Sequence, residues 1–344
     1  MALITFDANK KRDVVLIGRV TLDFNPNELN RTLDKVETFS MYLGGSPGNM
    51  AVGINKLGKK VGFIGAVSND QFGDFVLNYF KERDIDTSQM VRAKNGERIG
   101  LTFTEIKSPT ESSILMYRDD VADLTIAPED VDEQYIADTK ILIISGTALS
   151  ASPSREACLI AAQYAKKHGT RIIFDVDYRP YSWRTKKDIQ IYYSLVASMA
   201  DVIIGSRDEI NLTEGYDEDA TEPADHLIAD KYIAQGTKIV VIKHGKAGSI
   251  AYTADKKAYK VSSYNIKLLK SFGGGDAYGS AFVYGLLEGW SVADSLQHGT
   301  AHAAMVVASH SCSNAMQTVE QIGAFMAEHK DEKVIAEIAW EATI

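Results

Sequence analysis

Short runs of aliphatic, mostly β-branched residues alternate with longer amphipathic stretches along most of the chain. The runs that show this rhythm lie at 14–17, 141–144, 171–174, 202–204 and 239–242. Brief, continuously apolar runs separated by helix-length segments are typical of strands that helices bury on both faces of a parallel sheet. The pattern therefore predicts an α/β fold with a doubly wound, mainly parallel sheet and helices on both faces.

For one strand-helix-strand unit, the sequence predicts where the helix ends and the next strand begins. An amphipathic segment runs from Arg155 to His168, and Gly169 follows it directly. Glycine often ends a helix because it adopts the left-handed backbone conformation without strain. We therefore expect a helix that stops before Gly169 and leads into the strand at 171–174.

Two segments, 20–43 and 90–125, depart from this rhythm. The second contains Gly100–Glu105 and Ser113–Tyr117, in which apolar and polar residues alternate as in antiparallel strands with one solvated face. No internal repeat and no Pro-rich linker separates these segments from the rest of the sequence. We therefore expect a single domain over residues 1–344, with a small β-rich lid contributed by the two segments.

Composition narrows the class of protein. The chain has 344 residues, 45% of them hydrophobic, and a net charge of −9, so we expect a globular enzyme that binds neither nucleic acid nor an anionic membrane. Its two cysteines, Cys158 and Cys312, lack metal-ligand spacing and fit buried thiols in a reducing compartment. Because no apolar run approaches the roughly 20 residues that span a bilayer, we expect a cytoplasmic protein.

A glycine-rich turn carries the first candidate chemistry. Gly273, Gly274, Gly275 and Asp276 precede an apolar, small-residue stretch at 277–287 that is typical of a buried helix. Glycines at a helix N-terminus let backbone amides approach an anion closely, and the helix dipole favours negative charge there. A carboxylate beside such a turn is suited to accept a proton from a hydroxyl that attacks a phosphoryl group. The alternative is that Asp276 only caps its helix.

A second glycine turn contains Gly44 and Gly45, and it opens another small-residue helix that includes Asn49. Glycine amides and an amide side chain are suited to bind the hydroxyls of a polyol, so we expect these residues to face a substrate. The alternative is that the glycines only allow close helix packing.

A third turn follows the strand at 239–242 and contains Lys243, Gly245 and Gly248. We expect this lysine or the neighbouring backbone to contact nucleotide phosphates. The alternative is a surface turn with a solvated lysine.

The two glycine turns at 44–45 and 273–276, in this order, resemble the signatures of the ribokinase, or PfkB, family of carbohydrate kinases, and the resemblance covers essentially residues 13–320. It implies ATP as phosphoryl donor, Mg²⁺ as metal, a lid over the sugar and a homodimer formed through the lid. It also implies that Asp276 is the catalytic base and that Gly273, Gly274 and Gly275 form the anion hole. The nucleotide contacts that we expect from it and from the third turn are Lys243, Gly245, Gly248, Lys270, Gly273 and Gly275.

Three further segments, 175–183, 203–209 and 308–313, resemble the 5-dehydro-2-deoxygluconokinase branch of that family, which serves inositol catabolism. The substrate would then be 5-dehydro-2-deoxy-D-gluconate, phosphorylated on its terminal hydroxyl. A 2-keto-3-deoxygluconate kinase, a fructokinase or another sugar kinase of the family is the alternative, and a non-catalytic sugar- or nucleotide-binding regulator is a more distant one. A dinucleotide-dependent oxidoreductase is disfavoured because the first strand lacks the glycine fingerprint of such enzymes.

A sugar acid requires a partner for its carboxylate. Arg118 and Arg179 are candidates because a guanidinium binds a carboxylate bidentately. The alternatives are a surface ion pair for Arg118 and a structural pair with Asp175 or Asp177 for Arg179. By the family resemblance, Asp23 binds sugar hydroxyls; its alternative is capping of a local turn.

The sequence departs from the family pattern at two positions. The metal-associated N-x-x-E motif reads Ser206 to Glu209 here, so we expect Glu209 to act on Mg²⁺ through water, or else to be an ordinary solvent-facing glutamate at a helix start. Lys270 stands where many relatives have an aspartate that helps to hold a monovalent cation. We hypothesise that its ammonium supplies that positive charge and makes activity insensitive to K⁺.

Overall fold

The structure is a computed structural model that describes residues 3–343. Among these residues the strands are β1 (Arg12–Ile17), β2 (Thr21–Pro26), β3 (Phe39–Gly44), β4 (Val61–Val67), β5 (Asp86–Arg92), β6 (Gly100–Ser108), β7 (Glu111–Tyr117), β8 (Thr139–Ser145), β9 (Arg171–Asp175), β10 (Val202–Ser206), β11 (Ile239–Lys243), β12 (Ser249–Thr253), β13 (Ala258–Val261) and β14 (Ile335–Ile338). The α-helices of the same residues are α1 (Ser46–Lys56), α2 (Gln71–Lys81), α3 (Glu133–Ala137), α4 (Ser154–Lys167), α5 (Lys186–Ala197), α6 (Arg207–Glu214), α7 (Asp225–Ala234), α8 (Gly274–Leu287), α9 (Val292–Val307) and α10 (Val319–Glu328).

The chain divides into two compact units. Within the described residues, the first unit comprises 3–17, 127–263 and 333–343, and the second comprises 18–126 and 264–332. The two glycine turns at 44–45 and 273–276 both belong to the second unit, whereas the turn after β11 belongs to the first.

The first unit contains a sheet in which the strands follow the order β14, β13, β12, β11, β10, β9, β8 and β1. Five neighbouring strands of this order pair in parallel, namely β1, β8, β9, β10 and β11. The strands from β11 onward, β12, β13 and β14, are joined by antiparallel pairing. All five apolar runs predicted as strands lie in the parallel part, and all of their side chains except that of Arg171 are buried. This pairing confirms the predicted mainly parallel sheet. Aliphatic runs without a polar face predict such a sheet because they require cover on both sides.

The predicted helix of this unit is α4, which ends at Lys167. Gly169 adopts a left-handed φ of +65°, the conformation expected of a glycine that ends a helix. The chain then turns into β9, which pairs in parallel with β8.

The second unit contains the parallel pair β4 and β5 and a separate four-stranded sheet in the order β3, β2, β6 and β7. The strands of this small sheet come from the two segments in which a lid is predicted. Its outer pairs, β2 with β3 and β6 with β7, are antiparallel as their alternation indicates. The central pair, β2 with β6, is parallel. The alternation of apolar and polar residues within a strand does not distinguish parallel from antiparallel pairing.

Helices α1 and α8 pack closely in the second unit. A Cβ added to Gly53 on α1 would lie 2.4 Å from Oγ of Ser280 on α8, so the two backbones approach at a position that only glycine allows. Both helices begin at a glycine turn, and this contact brings the residues near the two turns together.

No helix within residues 3–343 is long and apolar enough to cross a membrane. Cys158 and Cys312 are both buried and free, as the sequence predicts.

Candidate active site

Asp276 lies in the first turn of α8, after Gly273, whose φ is +84°. Its two carboxylate oxygens accept hydrogen bonds of 2.8 Å from Oγ of Ser46 and from Nδ2 of Asn49, residues in the first turns of α1. The contact fixes the orientation of the carboxylate at the N-terminus of a helix. It also gives Asn49 an interaction with the candidate base, in addition to the substrate contact predicted for it.

The turn before Asp276 requires glycine for steric reasons. A Cβ on Gly273 would lie 2.3 Å from Sγ of Cys312, and one on Gly274 would lie 2.9 Å from Cγ1 of Val307. The first amides of a helix have no carbonyl partner within it, and Gly275 is exposed. The turn can therefore present backbone N–H groups to an anion.

Asp23 and Gly44 lie side by side on β2 and β3. A Cβ on Gly44 would come within 2.0 Å of Oδ1 of Asp23, so the carboxyl group of Asp23 fills the space that a side chain would need. Gly45, with φ of +85°, brings the chain into α1. The glycine turn at 44–45 and the carboxyl group of Asp23 are thus packed directly against each other in the site.

The carboxyl group of Asp23 has an altered acidity. Although Asp23 is partly exposed, burial of its carboxyl group among protein atoms raises its pKa to about 6. The charge of the buried Arg19 opposes this shift, and the charge of Asp276 adds to it. The two carboxyl groups are therefore close enough to interact.

Lys270 is fully buried next to this turn. Its Nζ donates hydrogen bonds of 2.9 and 2.6 Å to the backbone carbonyls of Ser309 and Ser311. Burial lowers the pKa of Lys270 below that of an ordinary lysine, while the charges of Asp23 and Asp276 favour its protonated form. The second unit thus brings together three of the predicted site residues: two carboxylates and one ammonium.

Arg118 forms a bidentate pair with Asp123, with nitrogen–oxygen distances of 3.2 and 2.7 Å. Only 6% of the Arg118 side chain and 1% of the Asp123 side chain are exposed. The pair is buried, so it is not the surface ion pair considered as the alternative role of Arg118.

Arg179 belongs to the first unit and follows β9. Its Nη2 lies 3.2 Å from Oδ1 of Asp177, and 31% of its side chain is exposed. Asp177 has a left-handed φ of +34°, and its Oδ2 accepts hydrogen bonds from Ser145 and Thr147. The structural pair considered for Arg179 is therefore present.

Glu209 is also in the first unit, at the start of α6. One of its carboxylate oxygens accepts from the backbone N–H of Ser206 at 2.7 Å and the other from that of Tyr178 at 2.9 Å. Glu209 is buried, so it is not the solvent-facing glutamate of the alternative. Within residues 3–343 no cluster of three or more His, Cys, Asp or Glu residues is suited to hold a metal ion.

The turn after Lys243 contains two glycines, one with free space beside its Cα and one packed against the backbone of β13. Gly245 and Gly248 have φ of +56° and +101°. A Cβ on Gly248 would lie 1.9 Å from the carbonyl oxygen of Val261, whereas one on Gly245 would meet no described atom within 4 Å. The backbone at Gly245 is therefore accessible to a ligand.

Two residues of the site, Ser46 and Arg19, are missing from the sequence-based prediction. Ser46 directly follows Gly45 at the start of α1, the position from which a hydroxyl reaches a neighbouring helix N-terminus. The buried Arg19 directly follows β1 and Gly18, but a sequence does not distinguish a buried arginine from a solvated one.

A model of the pfkB family carbohydrate kinases matches residues 11–319. The chain belongs to this family. It is 61% identical over 332 residues to a 5-dehydro-2-deoxygluconokinase of Clostridium tetani, covering 96% of this chain and 98% of that protein. It is 58% identical, with the same coverage, to a 5-dehydro-2-deoxygluconokinase of Clostridium perfringens.

Among solved structures, a fructokinase with bound ATP from Xylella fastidiosa superimposes with a TM-score of 0.79. The two sequences are 21% identical, and the match covers 92% of this chain and 99% of that one. This likeness confirms the predicted ribokinase-like fold.

Proposed function

We propose that the protein transfers the γ-phosphoryl group of ATP to the terminal hydroxyl of 5-dehydro-2-deoxy-D-gluconate. The observation that carries this proposal is the carboxylate of Asp276, held by Ser46 and Asn49 at the N-terminus of α8 beside a glycine turn in which Gly275 is exposed. The substrate is supported by the clostridial relatives, which are named for it and match over nearly their whole length.

The chemical step follows from the position of Asp276. Its carboxylate accepts the proton of the terminal hydroxyl while the hydroxyl oxygen forms a bond to the γ-phosphorus of ATP. The bond from that phosphorus to the β,γ-bridging oxygen breaks, and ADP leaves with the electron pair. A carboxylate has about four hydrogen-bonding sites, so the contacts from Ser46 and Asn49 orient the base and still permit a hydroxyl to donate to it.

Charge on the transferred phosphoryl group is stabilised by the amides of Gly274 and Gly275, by the dipole of α8 and by the ammonium of Lys270. Asp23 accepts hydrogen bonds from sugar hydroxyls in the space beside Gly44. The carboxyl group of Asp23 thus binds the sugar, whereas the carboxylate of Asp276 accepts the proton of the terminal hydroxyl.

The nucleotide is bound in part by Lys243 and by the open backbone at Gly245. Glu209 would hold Mg²⁺ through water, because each of its carboxylate oxygens accepts one backbone N–H group and keeps a further acceptor site for a water molecule. Mg²⁺ would neutralise charge on the phosphates of ATP.

The carboxylate of the sugar acid binds to Arg179 in preference to Arg118. Arg118 is 6% exposed and engages Asp123 with both terminal nitrogens, whereas Arg179 is 31% exposed although it pairs with Asp177. Substitution of Arg179 by lysine should therefore raise KM for the sugar acid more than KM for ATP.

We also propose a homodimer formed through the small sheet of the second unit, and a cytoplasmic location. The dimer is supported by large apolar side chains on the outer face of that sheet, where Met41, Leu115 and Tyr117 are 36%, 43% and 56% exposed. A cytoplasmic location is consistent with two cysteines that are buried and free.

The test is Asp276→Asn in an ATP-coupled assay over sugar acids and neutral sugars. We expect kcat to fall roughly 10²- to 10⁴-fold, because an amide does not accept the proton, with little change in melting temperature. Asp294→Asn is the matched control, since Asp294 also lies in the first turn of a helix, and we expect it to leave kcat unchanged.

Undiminished turnover in Asp276→Asn would leave Asp276 as a helix cap and reject the mechanism. Acceptance of neutral ketoses alone would instead reject the sugar acid and favour a fructokinase. Binding of both ligands without turnover in the unaltered protein would favour a non-catalytic regulator.

A further inference from the structure

The loop at 309–313, between α9 and α10, has no assigned part in the chemical step. It nevertheless contacts two different elements of the second unit. One is the segment from Lys270 to Gly273, and the other is the pair of strands β2 and β3.

On the phosphate side, the loop determines the position of the glycine turn. The carbonyls of Ser309 and Ser311 accept from the ammonium of Lys270 at 2.9 and 2.6 Å. Sγ of Cys312 occupies the space beside Gly273, where a Cβ would lie 2.3 Å away. Movement of the loop would therefore move both the positive charge and the start of α8.

On the substrate side, the ring of His310 binds both strands. Its Nε2 lies 2.8 Å from the carbonyl oxygen of Pro26 on β2, and its Nδ1 lies 3.0 Å from the hydroxyl of Tyr42 on β3. Because a carbonyl only accepts, Nε2 carries the proton, and in the neutral ring Nδ1 accepts from Tyr42. Asn25 also donates to the backbone carbonyl of His310 at 2.6 Å.

The strands that His310 holds are those that carry the substrate-binding residues. Tyr42 is the register partner of Asp23 across β2 and β3, and Gly44 ends β3. One imidazole thus joins the strands beside the sugar to a loop whose flanking carbonyls hold Lys270.

We propose that His310 is a positioning residue for phosphoryl transfer, which fixes the distance between the sugar held at Asp23 and the anion-binding turn at Gly273. This inference rests on the proposed function for its kinetic consequence. It is carried by the side-chain contacts of His310 to two strands and by the backbone contacts of the same loop to Lys270.

The test compares His310→Ala, His310→Gln and Tyr42→Phe. For His310→Ala we expect kcat to fall roughly 10- to 100-fold, with KM for ATP changed less than about threefold, because misplacement of reacting groups lowers the rate more than binding. Glutamine has one donor and one acceptor at similar reach, so His310→Gln should recover most of kcat. Tyr42→Phe should cause an intermediate loss, and it should have little further effect when combined with His310→Ala.

Amide hydrogen exchange gives a readout that does not depend on activity. We expect residues 269–276 to exchange faster in His310→Ala than in the unaltered protein or in His310→Gln. His298→Ala is the control, because the ring of His298 bonds to the carbonyl of Asp294 within α9 and does not contact the loop.

The outcomes separate this proposal from the proposed function. Unchanged exchange at 269–276 in His310→Ala, or a wild-type kcat in all three variants, would overturn the role of His310 and leave the kinase activity intact. Faster exchange in a protein that does not phosphorylate the sugar acid would support the link and reject the assigned substrate.

Discussion

At the scale of single residues, the least expected feature is a lysine buried beside two carboxylates. The ammonium of Lys270 has two backbone carbonyls as acceptors, the type of ligand that also binds monovalent cations. A buried charge is tolerated only where such partners compensate its desolvation. The hypothesis of a built-in cation is therefore consistent with the contacts of the side chain, and kinetics can test it.

We predict that the unaltered enzyme has nearly the same kcat in K⁺-free buffer as in K⁺. Lys270→Ala should lose at least about tenfold in kcat, because charge stabilisation in the transition state is removed. K⁺ should partly restore it by entering the vacated space. Lys270→Met is the matched control, since it fills that space without charge and should not respond to K⁺; a several-fold rise of wild-type activity with K⁺ would contradict the prediction.

At the scale of elements, the strands and helices were largely predictable, whereas the side-chain pairing in the site was not. The strand at 171–174 and the helix before it follow from apolar periodicity and a terminal glycine, which are local properties. The sequence predicts Asn49 as a site residue, but its hydrogen bond to Asp276 depends on how α1 crosses α8. That crossing depends on the contact of Gly53 with Ser280, residues far apart in the sequence.

The sequence also does not distinguish the two arginines, because their burial depends on the fold. The sequence predicts Arg118 and Arg179 equally as ligands of the substrate carboxylate, because a guanidinium has the same chemistry wherever it lies. The partner of Arg118, Asp123, is only five residues away, yet nothing in the residue types indicates that the pair is buried. Burial is a property of the fold and distinguishes the two arginines only in the structure.

The contact between α1 and α8 gives a second prediction. Gly53→Ala places a methyl group about 2.4 Å from Oγ of Ser280, which forces the helices apart. We expect kcat to fall, because Ser46 and Asn49 then no longer orient Asp276. The double variant Gly53→Ala, Ser280→Gly removes the clash and should recover activity; equal activity of Gly53→Ala and the unaltered protein would show that the spacing of the helices does not control the base.

At the scale of the whole molecule, the outer face of the small sheet determines the expected assembly. Phe24 and Phe103 stack there at 5.0 Å between ring centroids, and Phe103 also contacts the rings of Phe39 and Tyr117. An exposed cluster of aromatic and aliphatic side chains on a sheet is typical of a protein interface. The residues proposed to bind substrate, Asp23 and Gly44, are on strands of this same sheet, so association would also order the strands around the proposed sugar site.

We therefore predict that the protein sediments with twice the mass of one chain in analytical ultracentrifugation. Leu115→Glu should shift it to a monomer, because burial of a carboxylate in an apolar interface is strongly unfavourable. Leu227→Glu is the matched control: Leu227 is 51% exposed, comparable to the 43% of Leu115, but lies on α7 in the first unit. Since Leu115 is outside the core, the monomer should keep its melting temperature, and a higher KM for the sugar acid in the monomer would show that association orders the strands around Asp23. A monomeric unaltered protein, or the same shift in both variants, would reject this interface.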